Sequence, residues 1–166
     1  LWDMHYSLGV AYKLTEEYDL AVQEMLTAVA LNPTNPDILT EISRTHSTIG
    51  QFDKAIQYAE QALVIDPSDT TVIVNRGLAH LHSGDAADAL KDFREAVAVD
   101  GEDAAAHYGA SQAAAVLGNN QEALRSVARA LELNPGYAGE AAGDPNLASL
   151  QGDPQFLKLL RESGGR

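Results

Sequence analysis

Asn35 to Pro67 reads NPDILTEISRTHSTIGQFDKAIQYAEQALVIDP, and its punctuation predicts a pair of helices. Pro36 suits a first helical turn, where its missing N–H would go unpaired in any case. Asn35 before it can cap that helix with its side-chain oxygen. Gly50 takes the left-handed conformation that ends a helix cheaply, so the first helical run stops at Ile49. A second run reaches Ile65, and Pro67 stands where it must stop. The stretch is one helix–turn–helix hairpin.

The rest of the chain copies it at a fixed step of 34 residues. Gly50, Gly84 and Gly118 occupy the same interhelical turn. Ala21, Ala55, Ala89 and Ala123 keep the step, as do Ala28, Ala62, Ala96 and Ala130. Gly9, Ser43, Gly77 and Ser111 form a small-residue series; Pro33, Pro67, Gly101 and Pro135 form another series; and Asn35, Asp69 and Asp103 are all good N-caps. The copies cover 2–35, 36–69, 70–103 and 104–137, with the array proper closing at 135. Small residues on facing stripes let helix backbones approach, and Leu39, Ile42, Ile56, Leu63 and Ile65 are the predicted fillers beside them. One hairpin cannot cover its own apolar faces, so stacking on a neighbour is expected to do so.

The pattern resembles the tetratricopeptide repeat, whose period and spaced Leu-Gly, aromatic, Ala, Ala and Pro signature it follows. The first copy matches with Leu8-Gly9, Tyr12, Ala21, Ala28 and Pro33, with Met25 at a frequent aromatic position. The third matches with Gly77, Ala89, Phe93 and Ala96, though Gly101 replaces the Pro. The fourth departs further, with Ala114 and Val127 at aromatic places. Tyr18 and Phe52 match the aromatic early in the second helix; Ala86 and Asn120 do not. The resemblance implies an all-α fold, an α-α superhelix of antiparallel hairpins, and a protein–protein interaction role.

Composition bounds the partners. A net charge of −13 over 166 residues argues against a nucleic-acid backbone, whose binders carry basic patches. A basic, neutral or apolar protein segment is compatible. With no Cys, disulfide and thiol chemistry is excluded, and no apolar run approaches the ~20 residues of a membrane-spanning helix. Leu1 stands where Asn35, Asp69 and Asp103 cap later copies. A targeting segment or further repeats upstream are therefore expected, with a cytoplasmic setting favoured.

After Pro135 the pattern changes, and no further second helix of a unit is read. Gly136, Gly139 and Gly143 lead to Asp144-Pro145-Asn146-Leu147 and then Asp153-Pro154-Gln155-Phe156. Each Asp-Pro pair reads as N-cap plus first helical residue. Residues 136–163 are expected to form capping helices with Phe156, Leu157 and Leu160 on one face and Leu147 and Leu150 before it; 164–166 read as a flexible tail. The alternative is that Phe156 docks on another subunit.

Catalytic motifs are missing: no phosphate loop, dinucleotide turn or nucleophile elbow occurs. His46 and His80, one period apart, lack a companion ligand series and read as replacements for the core aromatic Tyr12. Asp100, Glu102 and Asp103 lack the Gly and distal Glu of a calcium loop. No cofactor or metal is expected, and the chain reads as non-catalytic.

The resemblance implies that first helices line an inner wall. Off the packing stripe that wall carries Tyr6, Val10 and Lys13, then Arg44, then Val74, Asn75, Leu78 and Leu81, then Tyr108 and Gln112. Val74, Leu78 and Leu81 with Tyr108 are expected to be an exposed apolar patch rimmed by Arg44 and Asn75, which is a recognition feature. In this reading Asn75 holds peptide backbone and Arg44 a carboxylate. Family members that grip chaperone tails use a Lys/Asn, Asn, Lys/Arg set. Only Arg44 and Asn75 survive of it in either register, which argues against such a clamp. The leading expectation is an adaptor that binds a peptide or protein segment. The alternatives are a homo-oligomerising structural module and the recognition module of a larger enzyme.

Overall fold

In the computed structural model, which describes residues 1–164, every regular element of the described residues is helical. The chain divides into two compact units, Leu1–Ser83 and Gly84–Arg166. The first holds α1 (Trp2–Leu14), α2 (Tyr18–Leu31), α3 (Pro36–Thr48), α4 (Phe52–Ile65) and α5 (Thr70–Ser83). The second holds α6 (Ala86–Val99), α7 (Ala104–Val116), α8 (Asn120–Leu133), α9 (Tyr137–Gly143), a 3-10 helix (Pro145–Leu150) and α10 (Pro154–Gly164).

The helix ends follow the punctuation. Asn35 Oδ1 accepts from Asp37 N at 3.0 Å, Asp69 Oδ1 from Val72 N at 3.2 Å, and Asp103 Oδ1 from Ala105 N and Ala106 N at 2.9 and 3.0 Å. These bonds satisfy donors that a helix start leaves without partners. Gly50, Gly84 and Gly118 have φ of 74°, 98° and 78°. Glu16, one step earlier, adopts the same left-handed turn at φ 63°.

In the first unit α3 is apolar on two sides. Ile38 and Ile42 join Met25 and Ala28 of α2, with Trp2, Tyr6 and Val10 packed against them. Leu39 joins Ala59, Ala62 and Val72. The small-residue series explains the close approach: Ser43 Oγ donates to the Ala55 carbonyl at 2.7 Å, and a Cβ at Gly9 would lie 2.7 Å from Met25 Cγ. His46 is buried and stacks on Tyr58 at 5.5 Å, so it packs as an aromatic. Ile65 departs from its predicted filler role and is 38 % exposed, because it ends α4 beyond the packed turns.

In the second unit Phe93, Val127, Leu147, Leu150 and Phe156 are fully buried. Burial of a side chain of this size contributes about 1.5–3 kcal/mol, which ties residues 144–156 to the repeat helices. The 34-residue step also continues further than the sequence reading allowed. Second helices begin at Tyr18, Phe52, Ala86 and Asn120, and α10 begins at Pro154 on the same step. The segment after Pro135 is thus a fifth hairpin. Its first helix is broken between Gly143 and Pro145, and Pro145 falls where Gly9, Ser43, Gly77 and Ser111 stand in earlier copies. Proline removes a helical hydrogen bond and crowds the preceding turn. Two smaller corrections concern α10. Leu157 is 41 % exposed rather than sharing the buried face of Phe156. Gly164 belongs to the helix rather than to the tail expected at 164–166; residues 165–166 lie outside the described residues.

Candidate peptide-binding surface

In the first unit α1, α3, α4 and α5 enclose an open cavity of about 420 Å³. Lys13, Arg44, Asn75 and Leu78 line it, with Phe52 and His82 stacked at 5.6 Å on one side. Lys13 Nζ reaches Glu41 Oε2 at 2.6 Å, while Arg44 Nη1 lies 3.2 Å from Glu41 Oε1. One carboxylate thus faces two cations, and the cavity keeps a net positive charge inside an acidic chain. Arg44 is half exposed, so its guanidinium retains donors for a further acceptor. The Asn75 amide nitrogen is buried without a hydrogen-bond partner among the described residues. An amide so placed is costly unless something bonds to it.

The structure brings four of the ten predicted residues together: Lys13, Arg44, Asn75 and Leu78. Tyr6 and Val10 are half-buried and pack against the Met25–Ile42 cluster. Burial, followed by the charges of Glu41 and Asp37, raises the Tyr6 hydroxyl above its ordinary pKa. Val74 and Leu81 correct the expectation of an exposed apolar patch. They are only 7 % and 9 % exposed because they share the i, i+3, i+7 stripe of buried Gly77. Sequence reasoning missed Phe52 and His82 as cavity walls, since their stacking joins the starts and ends of different helices.

In the second unit Tyr108 is buried and Gln112 is half-buried. Tyr108 is 4 % exposed. Its hydroxyl donates to Asp144 Oδ2 at 2.7 Å, Gln112 Nε2 donates to the same oxygen at 2.7 Å, and the Tyr108 ring stacks on Tyr137 at 4.6 Å. Burial and then the Asp144 bond push the Tyr108 hydroxyl well above the usual tyrosine range. The chain's own C-terminal segment covers both residues.

Helix hairpins repeated at one step, with a polar-rimmed cavity and a set of helix-capping turns, define a repeat module for protein–protein interaction. Tetratricopeptide repeat family models match residues 3–35 and 42–114, and the chain belongs to the tetratricopeptide repeat family. Solved structures agree in fold. A crystal structure of MamA protein superposes with a TM-score of 0.84 at 16 % identity, covering 99 % of this chain and 92 % of that one. MamA AMB-1 gives 0.71 at 23 % identity over 87 % and 79 %. The Sgt2 TPR domain from Aspergillus fumigatus gives 0.66 at 25 % identity over 72 % and 81 %. No curated protein matches the sequence. None of the helices among the described residues is long and apolar enough to cross a membrane.

Proposed function

We propose that the chain is a non-catalytic adaptor that holds a peptide segment of a partner protein in the first-unit cavity. Leu78 supplies apolar contact, Asn75 donates to peptide backbone, and Arg44 pairs with an acidic side chain. The observation that supports this reading most is the Asn75 Nδ2, buried without a hydrogen-bond partner among the described residues and lining the same cavity as Lys13 and Arg44. Panning a displayed random-peptide library on the immobilised chain tests it. Enriched peptides should bind the native chain and fail on Leu78→Glu, whose helicity by circular dichroism should be unchanged. Equal binding by both would sink the site.

A second reading, self-association, is favoured by a different observation. Met4 and Leu8 are 68 % and 42 % exposed, whereas Ile38 and Ile42, one step later, are fully buried against α2. An apolar face at a repeat-packing position favours a helix of the same kind. A light-scattering mass that rises with concentration, and falls back in Met4→Lys/Leu8→Lys, is the expected result; a constant mass would exclude it.

A further inference from the structure

The second unit contains a recognition event between two parts of one chain. At the break between α9 and the 3-10 helix, Asp144 caps the helix by accepting from Asn146 N at 2.8 Å. Its other oxygen takes the Tyr108 hydroxyl and the Gln112 amide. Leu147, three positions on, and Leu150 are fully buried, and Asp144 itself is 7 % exposed. A carboxylate and the helical turn it caps therefore lie against α7, and Leu147 and Leu150 of that turn are buried. From the same segment Ser149 Oγ donates to Asn120 Oδ1 at 2.9 Å and Gln151 Nε2 to the Ala141 carbonyl at 3.3 Å.

We propose that this Tyr108–Gln112 face of α7 is a second binding site, specific for an aspartate-led helical turn, and that residues 144–150 are its resident occupant, displaced by a partner segment of the same chemistry. Three features make the occupant releasable. The Asp144 carboxylate is buried with neutral donors only, and no ion pair to it occurs among the described residues; a buried charge without a cation gives back much of its hydrogen-bond energy in lost hydration. The tether is weak: α9 has seven residues, two of them Gly139 and Gly143. An isolated helix this short is unstable, and the interior Gly139 weakens it further relative to alanine. The bound turn is a six-residue 3-10 helix, longer than the three or four residues that this poorer hydrogen-bond geometry usually sustains. Release rehydrates Asp144 and exposes the Tyr108 hydroxyl, the Gln112 amide and the leucine seats to an incoming aspartate-led turn.

The probe is the acetylated, amidated peptide GDPNLASL, the sequence of residues 143–150, carrying a fluorophore and read by anisotropy. The native chain should bind it weakly. Asp144→Ala, which weakens the occupant and leaves α7 intact, should bind it about tenfold or more tightly, as expected when the competent state becomes populated. Adding Tyr108→Phe and Gln112→Leu to that variant should abolish the gain, as should replacing the peptide's Asp with Asn. A folded Asp144→Ala variant that shows no gain, or that takes the Asn peptide equally well, overturns the proposal. If Asp144→Ala does not fold, hydrogen exchange on the native chain decides. Millimolar peptide should speed exchange of the Leu147 and Leu150 amides, and unchanged protection overturns the proposal. First-unit binding is read separately through Leu78→Glu, so failure here leaves the adaptor reading standing.

Discussion

The hydroxyl of Tyr108 donates to the carboxylate of Asp144 at 2.7 Å across 36 residues of sequence. This bond joins a repeat helix to the broken hairpin that follows it. A hydrogen bond to a charged group contributes about 1.5–3 kcal/mol. Tyr108→Phe keeps the ring stack on Tyr137 and should lower stability by about that amount. In a chain of this size the melting temperature should fall by about 2–4 °C per kcal/mol. Asp144→Ala should lose more, since the Asn146 cap goes with it. A Tyr108→Phe melt that overlays the native one would remove the bond from the stability account.

Glu16 predicts a gain. Among the described residues it is the one non-glycine residue at positive φ, 63°, and it is exposed. Glu16→Gly relieves the left-handed strain of an L-residue, partly offset by the greater freedom of glycine in the unfolded chain. Urea denaturation should show a stabilisation of about 0.5–1 kcal/mol. A destabilised variant would mean that the Glu16 side chain makes a contact worth more than the strain.

Gly109 predicts a loss. A Cβ there would lie 2.3 Å from the Phe93 ring, and overpacking of this kind costs about 1–3 kcal/mol. Gly109→Ala should lower the thermal midpoint despite the higher helix propensity of alanine, and Phe93→Leu in the same chain should recover part of the loss. Gly9→Ala should also cost stability, because a Cβ there would meet Met25 Cγ at 2.7 Å and the Ala21 backbone carbonyl at 3.0 Å.

His46 gives a pH dependence with a defined sign. Burial holds its pKa below the ordinary 6.5, with the Gln51 bond acting the other way and Lys54 adding to the depression. As pH falls below 6.5 the unfolded chain takes the proton first, so stability drops until the folded pKa is passed. Above 6.5 this contribution is flat. Urea melts from pH 8 to pH 5 should show the native chain losing more than His46→Asn over that window. Parallel curves would rule the group out.

Much of this was legible in the residues. Asn35, Asp69 and Asp103 cap as residue type and spacing require, and Gly50, Gly84 and Gly118 turn as expected, since local backbone chemistry carries that information. Val74 and Leu81 were misjudged because the boundary between packing stripe and wall shifts by one residue within a turn, which hydropathy does not resolve. The fifth hairpin escaped notice because its first helix carries Pro145 and several glycines in place of an apolar period, while α10 keeps the step but not the alanines.

By itself the sequence determined the repeat length, the helix ends and the family, because each depends on residues within one turn or one step of each other. Which wall residues stay available was decided only in three dimensions. Lys13, Arg44 and Asn75 meet at one cavity because three helices converge there, and Tyr108 is covered because Asp144 returns to it. Such contacts join residues tens of positions apart, where burial and hydrogen bonding depend on which faces pack, and no local pattern encodes that.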